Sequence, residues 1–263
     1  SARVGGQLIK QTHRFFGSSN RDAGIRGITI ADKLQQDIKD VAARLTVLEN
    51  TAAVGFYHNK EAGILSQNAY ERVTYQAAIV CTGATENSLT FENNDLPGIY
   101  GAGGVQTLMN VHGIRPGQKI LMVGSGNIGL IVSYQLIQAG VEVVGLVEGM
   151  PTIGGYLVHA SKIRRLGVPI HTSHTILKAL GTDGVEGAVL CRVDEKFQPV
   201  PNTEFEIKCD CICLAVGLTP LIDLFQQAQC RMVHVGELGG LVPLHDSSMR
   251  TTNPDIFVAG DAS

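Results

Sequence analysis

Lys119-Ile-Leu-Met-Val-Gly124-Ser-Gly126-Asn-Ile-Gly129-Leu130 sets the order of the elements around it. The apolar run Ile120 to Val123 ends in Gly124-x-Gly126-x-x-Gly129, and Leu130 to Ala139 then continues with helical spacing until Gly140. This is the order strand, tight turn, helix. A second apolar run, Val141 to Val147, supplies the next parallel strand and delivers Glu148, nineteen residues after Gly129. Such a turn suits a dinucleotide: the first glycine permits the bend, the second lets backbone approach a pyrophosphate, and the third lets helix and strand pack closely. The pyrophosphate then lies on the positive end of the helix.

In a chain with 31 glycines the triplet alone is weak, but the strand before it, the helix after it and the acid beyond all agree. The candidate binding residues are Gly124, Ser125, Gly126, Asn127, Ile128 and Gly129, with Glu148. Glu148 can accept hydrogen bonds from an adenosine ribose and would repel a 2′-phosphate; Gly149, Met150 and Pro151 supply no base. NAD is therefore expected over NADP. Arg164 and Arg165, the nearest paired bases, read as a solvated helix face.

Beyond this stretch, 263 residues leave room for one large core or two ordinary ones, and two are expected. A hydrophobic content of 44%, a charged content of 17% and no Trp fit an α/β protein. The net charge of −3 gives no reason to expect nucleic acid or an anionic membrane as partner. No apolar run approaches the ~20 residues of a membrane span, and no charged-then-apolar leader opens the chain, so a cytoplasmic location is expected. The six cysteines form no CxxC pair, so neither a redox dithiol nor a zinc knuckle is signalled. Cys209, Cys211 and Cys213 alternate, which places them on one strand face as small buried hydrophobes of a reducing compartment.

The chain begins Ser-Ala-Arg-Val-Gly5-Gly6-Gln7-Leu8, as a sequence entered midway, and runs through His13, Phe15 and Phe16 as a loop needing a partner surface. Thr29-Ile-Ala-Asp32 has capping-box character ahead of an amphipathic helix marked by Leu34, Ile38, Val41 and Leu45. Alternating runs near 46–57, 62–67 and 70–75, separated by turns at 59–63 and at Asn68-Ala69, predict an antiparallel meander. Ala77 to Cys81 is a buried strand entering the turn Thr82-Gly83-Ala84. The same order recurs downstream: a helix over 156–166, strands near 173–180, 185–193 and 203–208, then an apolar strand ending at Val216-Gly217. Two copies of one plan are the simplest account. Asp95 to Gly104 has linker composition before a short helix over 105–111; a second crossover is expected near Gly236 to Gly240. The last segment is a buried strand ending in Gly260-Asp261.

Together the Gly5-Gly6-Gln7-Leu8 loop, Thr82-Gly83-Ala84, Gly124 to Gly129, Ala215-Val216-Gly217 and Ile256 to Asp261 resemble the pyridine nucleotide-disulfide oxidoreductase class of two-dinucleotide-fold flavoproteins. The resemblance implies an α/β fold of two Rossmann-like, three-layer dinucleotide-binding domains. The NAD-type domain, residues 99–240, is inserted in an incomplete FAD-type domain, residues 1–98 and 241–263. It also implies FAD bound among Gly5, Gly6, Gln7, Thr82, Gly83, Ala84, Gly260 and Asp261, with Val216 and Gly217 as further cofactor-binding residues. The runs Gly5 to Gly17 and Gly154 to Arg165 are most similar to FAD-binding α subunits of amine- and imino-acid-oxidising complexes: heteromeric sarcosine oxidase, hydrogen cyanide synthase, and dye-linked proline or opine dehydrogenases.

That resemblance implies a flavin-dependent oxidoreductase moving hydride between flavin and a nicotinamide nucleotide or an amine or imino-acid substrate. It also implies that the partner is a second flavoprotein subunit, in an oligomeric assembly. The class opens with its own flavin GxGxxG and closes with a helix after the terminal Asp; neither stands in this sequence, so a segment of a longer chain that binds FAD poorly is expected. A stoichiometric flavin spectrum would overturn that. Two other functions stay open: a free-standing NADH:acceptor reductase, and a non-catalytic module holding an adenine nucleotide. No catalytic acid, base or metal set can be assigned; His159 is the histidine to watch, with a core role as the plainer alternative, while His171 and His174 read as polar edge residues.

Overall fold

The computed structural model describes residues 4–18, 21–67 and 69–263. The turn residue Asn68 lies outside the described residues. Two compact units form: residues 1–6, 32–85 and 217–263 make one, and residues 7–31 and 86–216 the other. These divisions differ from the expected 98/99 and 240/241 for a physical reason. Leu89, Phe91 and Leu96 pack into the core of the second unit, while Leu221 is hydrogen-bonded to the Thr82-Gly83 turn of the first, donating its N–H to Gly83 O at 2.9 Å and accepting the Thr82 hydroxyl at 2.8 Å.

In the second unit, β1 (Ile99–Gly101), β2 (Lys119–Val123), β3 (Glu142–Glu148), β4 (Ile170–Thr172) and β8 (Cys211–Leu214) form a five-stranded sheet in the order β1-β8-β2-β3-β4. Every pairing in it is parallel. Helices α1 (Ala102–His112), α2 (Asn127–Gln138) and α3 (Leu157–Arg165) cover one face, and the antiparallel β5 (His174–Leu180), β6 (Gly187–Arg192) and β7 (Phe205–Ile207) the other. Parallel strands covered on both faces read as continuous apolar runs, and residues 120–123 are all buried. Ile120 and Met122 face Leu130, Leu136 and Ile163. Leu121 and Val123 face Ile176 and Leu190.

The stretch 95–104 is not a linker: Ile99 pairs with Ile212, which makes 99–101 an edge strand, and α1 begins directly after it. The cysteine face is also corrected. Cys211 and Cys213 lie on the helix side, whereas Cys209 packs on the other side with Ile212 and Leu214. Asp210 breaks the alternation, because its carboxylate accepts the Gln118 and Lys119 N–H groups at 2.8–3.0 Å.

The first unit contains the expected meander, Ala52–Tyr57, Glu61–Leu65 and Tyr70–Thr74, paired antiparallel. Residues 46–51 lie outside the strand. Strand Ala78–Val80 pairs in parallel with Ile256–Val258, over a core of Val80, Phe225, Ile256 and Val258. The Gly236–Gly240 segment is a hairpin connection between Met232–Val235 and Gly240–Pro243, not a crossover. Helix Gly27–Asp40 begins two residues before Thr29, so Thr29 is inside the helix and the expected capping box does not form. Ile30 N–H already bonds Arg26 O at 3.1 Å. A Cβ on Gly27 would lie 2.6 Å from Gln11 Cβ and 2.8 Å from Phe16, so the absence of a side chain lets the helix start there. No helix among the described residues is long and apolar enough to cross a membrane.

Candidate nucleotide-binding site

β2 ends at Val123, and Gly124 takes φ +104° with its N–H donated to Val147 O at 2.7 Å. A Cβ at Gly124 would stand 2.2 Å from Ala215 O, and one at Gly129 would stand 2.1 Å from Gly124 O. Both glycines are thus fixed by backbone crowding: the first by the bend and the third by the approach of α2 to the turn. Gly126 differs, because nothing lies within 4 Å of the position a Cβ would take. Its open face, at the start of α2 and without any side-chain cap, is the space a pyrophosphate needs. The first N–H groups of a helix have no intrahelical acceptor and carry its positive end, so they are available there.

Glu148, at the end of β3, is held against this turn. Its Oε2 accepts the Ser125 N–H at 2.9 Å and the Ser125 hydroxyl at 2.7 Å, and its Oε1 accepts the Met150 N–H at 2.9 Å. A carboxylate offers about four lone-pair sites, so roughly one remains for a ribose hydroxyl. The negative charge itself is fixed beside the turn.

The segment after Met150 closes the other side. Gly155 donates to Ser125 O at 2.9 Å, and Tyr156 N–H donates to Asn127 Oδ1 at 2.9 Å. A Cβ on Gly155 would fall 2.6 Å from Leu130 Cδ1 and 2.9 Å from Asn127 N, so a glycine at 155 is required for this packing. Ser125 is fully buried and Ile128 exposed. Val216 packs against the sheet core below.

Most of the residues expected around a flavin lie on turns of the first unit. Strands 78–80 and 256–258 are parallel neighbours, so the turns that follow them, Thr82-Gly83-Ala84 and Gly260-Asp261, leave from the same edge, where open α/β sheets place ligands. At Gly83 (φ +71°) and Gly260 (φ +77°) nothing lies within 4 Å of the position a Cβ would take, and Asp261 is exposed. Gly5 and Gly6 also have positive φ, at +122° and +53°, and Gly6 opens the 3-10 turn Gly6–Lys10 that contains Gln7. Gly217 is likewise left-handed at φ +108°. An exposed carboxylate beside open glycine turns can accept hydrogen bonds from a hydroxylated ligand such as the sugar-alcohol part of FAD.

His159 is buried in an aromatic nest. Its ring lies 4.2 Å from that of Phe15, edge-on, while His13 stacks on Phe16 at 4.6 Å. Burial pushes the His159 and His13 rings below the ordinary histidine value, with Lys162 adding to the effect on His159 and His159 to that on His13. Two further polar features carry no motif in the sequence. Glu86 Oε1 accepts the Gly103 N–H at 2.6 Å at the start of α1, with Lys10 Nζ donating to Gly103 O at 3.2 Å. Gln106 bonds both Gln11 at 3.2 Å and Gln135 at 2.9 Å, and Gln135 reaches Thr12 at 2.8 Å.

Set beside known proteins, the sequence matches the family model described as pyridine nucleotide-disulphide oxidoreductase over residues 5–263. The chain belongs to that family. Members of this pyridine nucleotide-disulphide oxidoreductase family are enzymes that use FAD and NAD(P). Among curated relatives, the A subunit of opine oxidase from Agrobacterium tumefaciens (strain Ach5) is 23% identical, over 99% of this chain and 55% of that protein. Hydrogen cyanide synthase subunit HcnB of Pseudomonas aeruginosa is 24% identical, over 86% of this chain and 52% of its own length. The alpha subunit of sarcosine oxidase from Corynebacterium sp. (strain P-1) is 25% identical, over 92% and 27%. The chain spans about half the length of the first two and less of the third. Two solved structures share the fold: thioredoxin reductase of T. acidophilum, with TM-score 0.77 at 18% identity over 100% of this chain and 80% of that one, and L-proline dehydrogenase of P. horikoshii, with 0.63 at 20% over 99% and 44%.

Proposed function

We propose that this chain is the nucleotide-binding part of an FAD-dependent oxidoreductase that holds NAD, rather than NADP, on the Gly124–Gly129 turn. The observation that carries this reading is the pair of backbone-locked glycines, Gly124 and Gly129, around the open Gly126, with the Glu148 charge pinned beside them. Ser125 and Met150 orient the carboxylate so that a 2′-phosphate meets a fixed negative charge. Bound FAD supplies the two-electron chemistry. The chain's own contribution is position: Gly5, Gly6, Gln7, Thr82, Gly83, Ala84, Gly260 and Asp261 receive the flavin cofactor, and the turn at 124–129 receives the nicotinamide nucleotide. In these terms the NAD-binding part centres on residues 86–216 and the FAD-binding part on residues 32–85 and 217–263.

For the whole protein we propose oxidation of an amine or imino acid in complex with a second subunit. The similarity to the opine oxidase A subunit, HcnB and the sarcosine oxidase alpha subunit, all of them subunits by name, supports this. Two assays on the natural protein separate the readings. Co-purification of a flavin-containing partner and dye reduction by a secondary amine support a role within a complex; dye reduction by NADH with no partner supports a free-standing reductase instead.

A further inference from the structure

The connection between β6 and β7 reaches past the sheet as an ordered hairpin tip. Val193 bridges Pro199, Asp194 Oδ1 accepts the N–H groups of both Lys196 and Gln198 at 2.8 Å, and Phe197 N–H returns to Asp194 O at 3.0 Å. The tip is tied to the loop after β3 in two steps: Val193 N–H to Ser173 O at 2.8 Å, and Ser173 N–H to Met150 O at 2.9 Å. This places the Phe197 ring against Gly149, where a Cβ would stand 3.1 Å from Cε1 and 3.4 Å from Cδ1. Gly149 directly follows Glu148.

Two properties of Phe197 are unexplained by packing. It holds a left-handed φ of +57°, a conformation disfavoured for a bulky side chain, and the residue is left 57% exposed. Neither core burial nor turn preference selects an aromatic residue there. Strained backbone held by a built turn, presenting a flat apolar surface one residue from the ribose-accepting acid, suits a ligand with a flat face. A base attached to a ribose at Glu148 has such a face.

We propose that Phe197 is the adenine-stacking residue of the nucleotide site, with Gly149 kept small so that the ring can reach it. The inference rests on the dinucleotide reading above. Calorimetric titration of the purified protein with NADH and with ADP-ribose tests it, in wild type, Phe197→Ala, Phe197→Leu and Phe197→Tyr. The expected result is a loss of about tenfold in affinity for both ligands in F197A, a smaller recovery in F197L, and near wild-type binding in F197Y, all with unchanged melting temperature. Wild-type affinity in F197A would overturn the role of Phe197 and leave the dinucleotide reading standing. Equal weakening in F197A and F197Y would also overturn it, since the hairpin would then act as scaffold. Failure of the wild type to bind either ligand would overturn the dinucleotide reading, and this inference with it.

Discussion

At the residue scale, Gly129 and Glu148 divide the work of the turn. The G129A change places a methyl group 2.1 Å from Gly124 O, a backbone atom that cannot rotate away. A loss of about 1–3 kcal/mol is expected from overpacking, measured by urea unfolding, together with loss of nucleotide binding; a G129A protein of native stability would contradict the assigned contact. Glu148→Gln keeps an acceptor near Ser125 but removes the charge. The preference for NADH over NADPH should narrow by about tenfold, or ~1.4 kcal/mol, in competition titrations, and an unchanged ratio would remove Glu148 as the discriminator. The glycines and the acid were legible from spacing alone. That Glu148 spends three acceptor positions on Ser125 and Met150 was not, because nothing in a spacing rule states where a carboxylate turns in three dimensions.

At the element scale, residues 11–16 have no periodicity in sequence and gain structure only from what they lie on. Gln11 and Thr12 join the glutamine chain through Gln106 and Gln135, and Phe15 meets His159 and Lys162. Glutamines read as surface residues in a sequence, so a buried polar network of this kind leaves no advance signal. The two histidines make the segment sensitive to acid. Burial holds His13 and His159 below the ordinary value near 6.5, so the unfolded chain binds more protons than the folded one as pH falls below it. Stability present above about pH 6.5 is therefore lost progressively on acidification. Melting temperatures followed from about pH 7.5 to about 5.5 should fall, and fall less steeply in His159→Asn; parallel curves would contradict the assignment.

The alternation of cysteines in 209–213 correctly marks β8 as buried but misplaces Cys209, because Asp210 leaves the ladder to bind the Gln118 and Lys119 backbone. Burial pushes the Cys209 thiol up to about 11 and the Cys211 thiol up to about 12, with Asp210 adding to both, and raises the Cys213 thiol well above its ordinary value as well. Thiolate is the reactive form. A thiol reagent at about pH 8 should therefore label exposed Cys81 quickly and the five buried cysteines only in denaturant. Rapid native labelling of β8 would show the strand to be accessible.

At the scale of the whole molecule, the repeated order of helix, three short strands and apolar strand was enough to expect two α/β units, and the family match over residues 5–263 agrees with that class. The boundaries were not legible. Gly and Pro between 95 and 104 look like a linker, yet Ile99–Gly101 completes a parallel edge, a pairing decided by the distant Ile212. Composition reports local flexibility and is silent on partners far along the chain. Because each unit has its own core, ligand should stabilise them unequally. In calorimetry, NADH at ~100 times its Kd should stabilise one transition by about 2.7 kcal/mol, that of residues 7–31 and 86–216, and leave the other unmoved. Whether Gly124–Gly129 and Glu148 form a site for NAD is decided by titrating the purified protein with NADH, NADPH and ATP side by side. Saturable binding of NADH at least about tenfold tighter than either of the others is expected; equal affinity for NADPH or ATP, or no binding of NADH, would contradict the site.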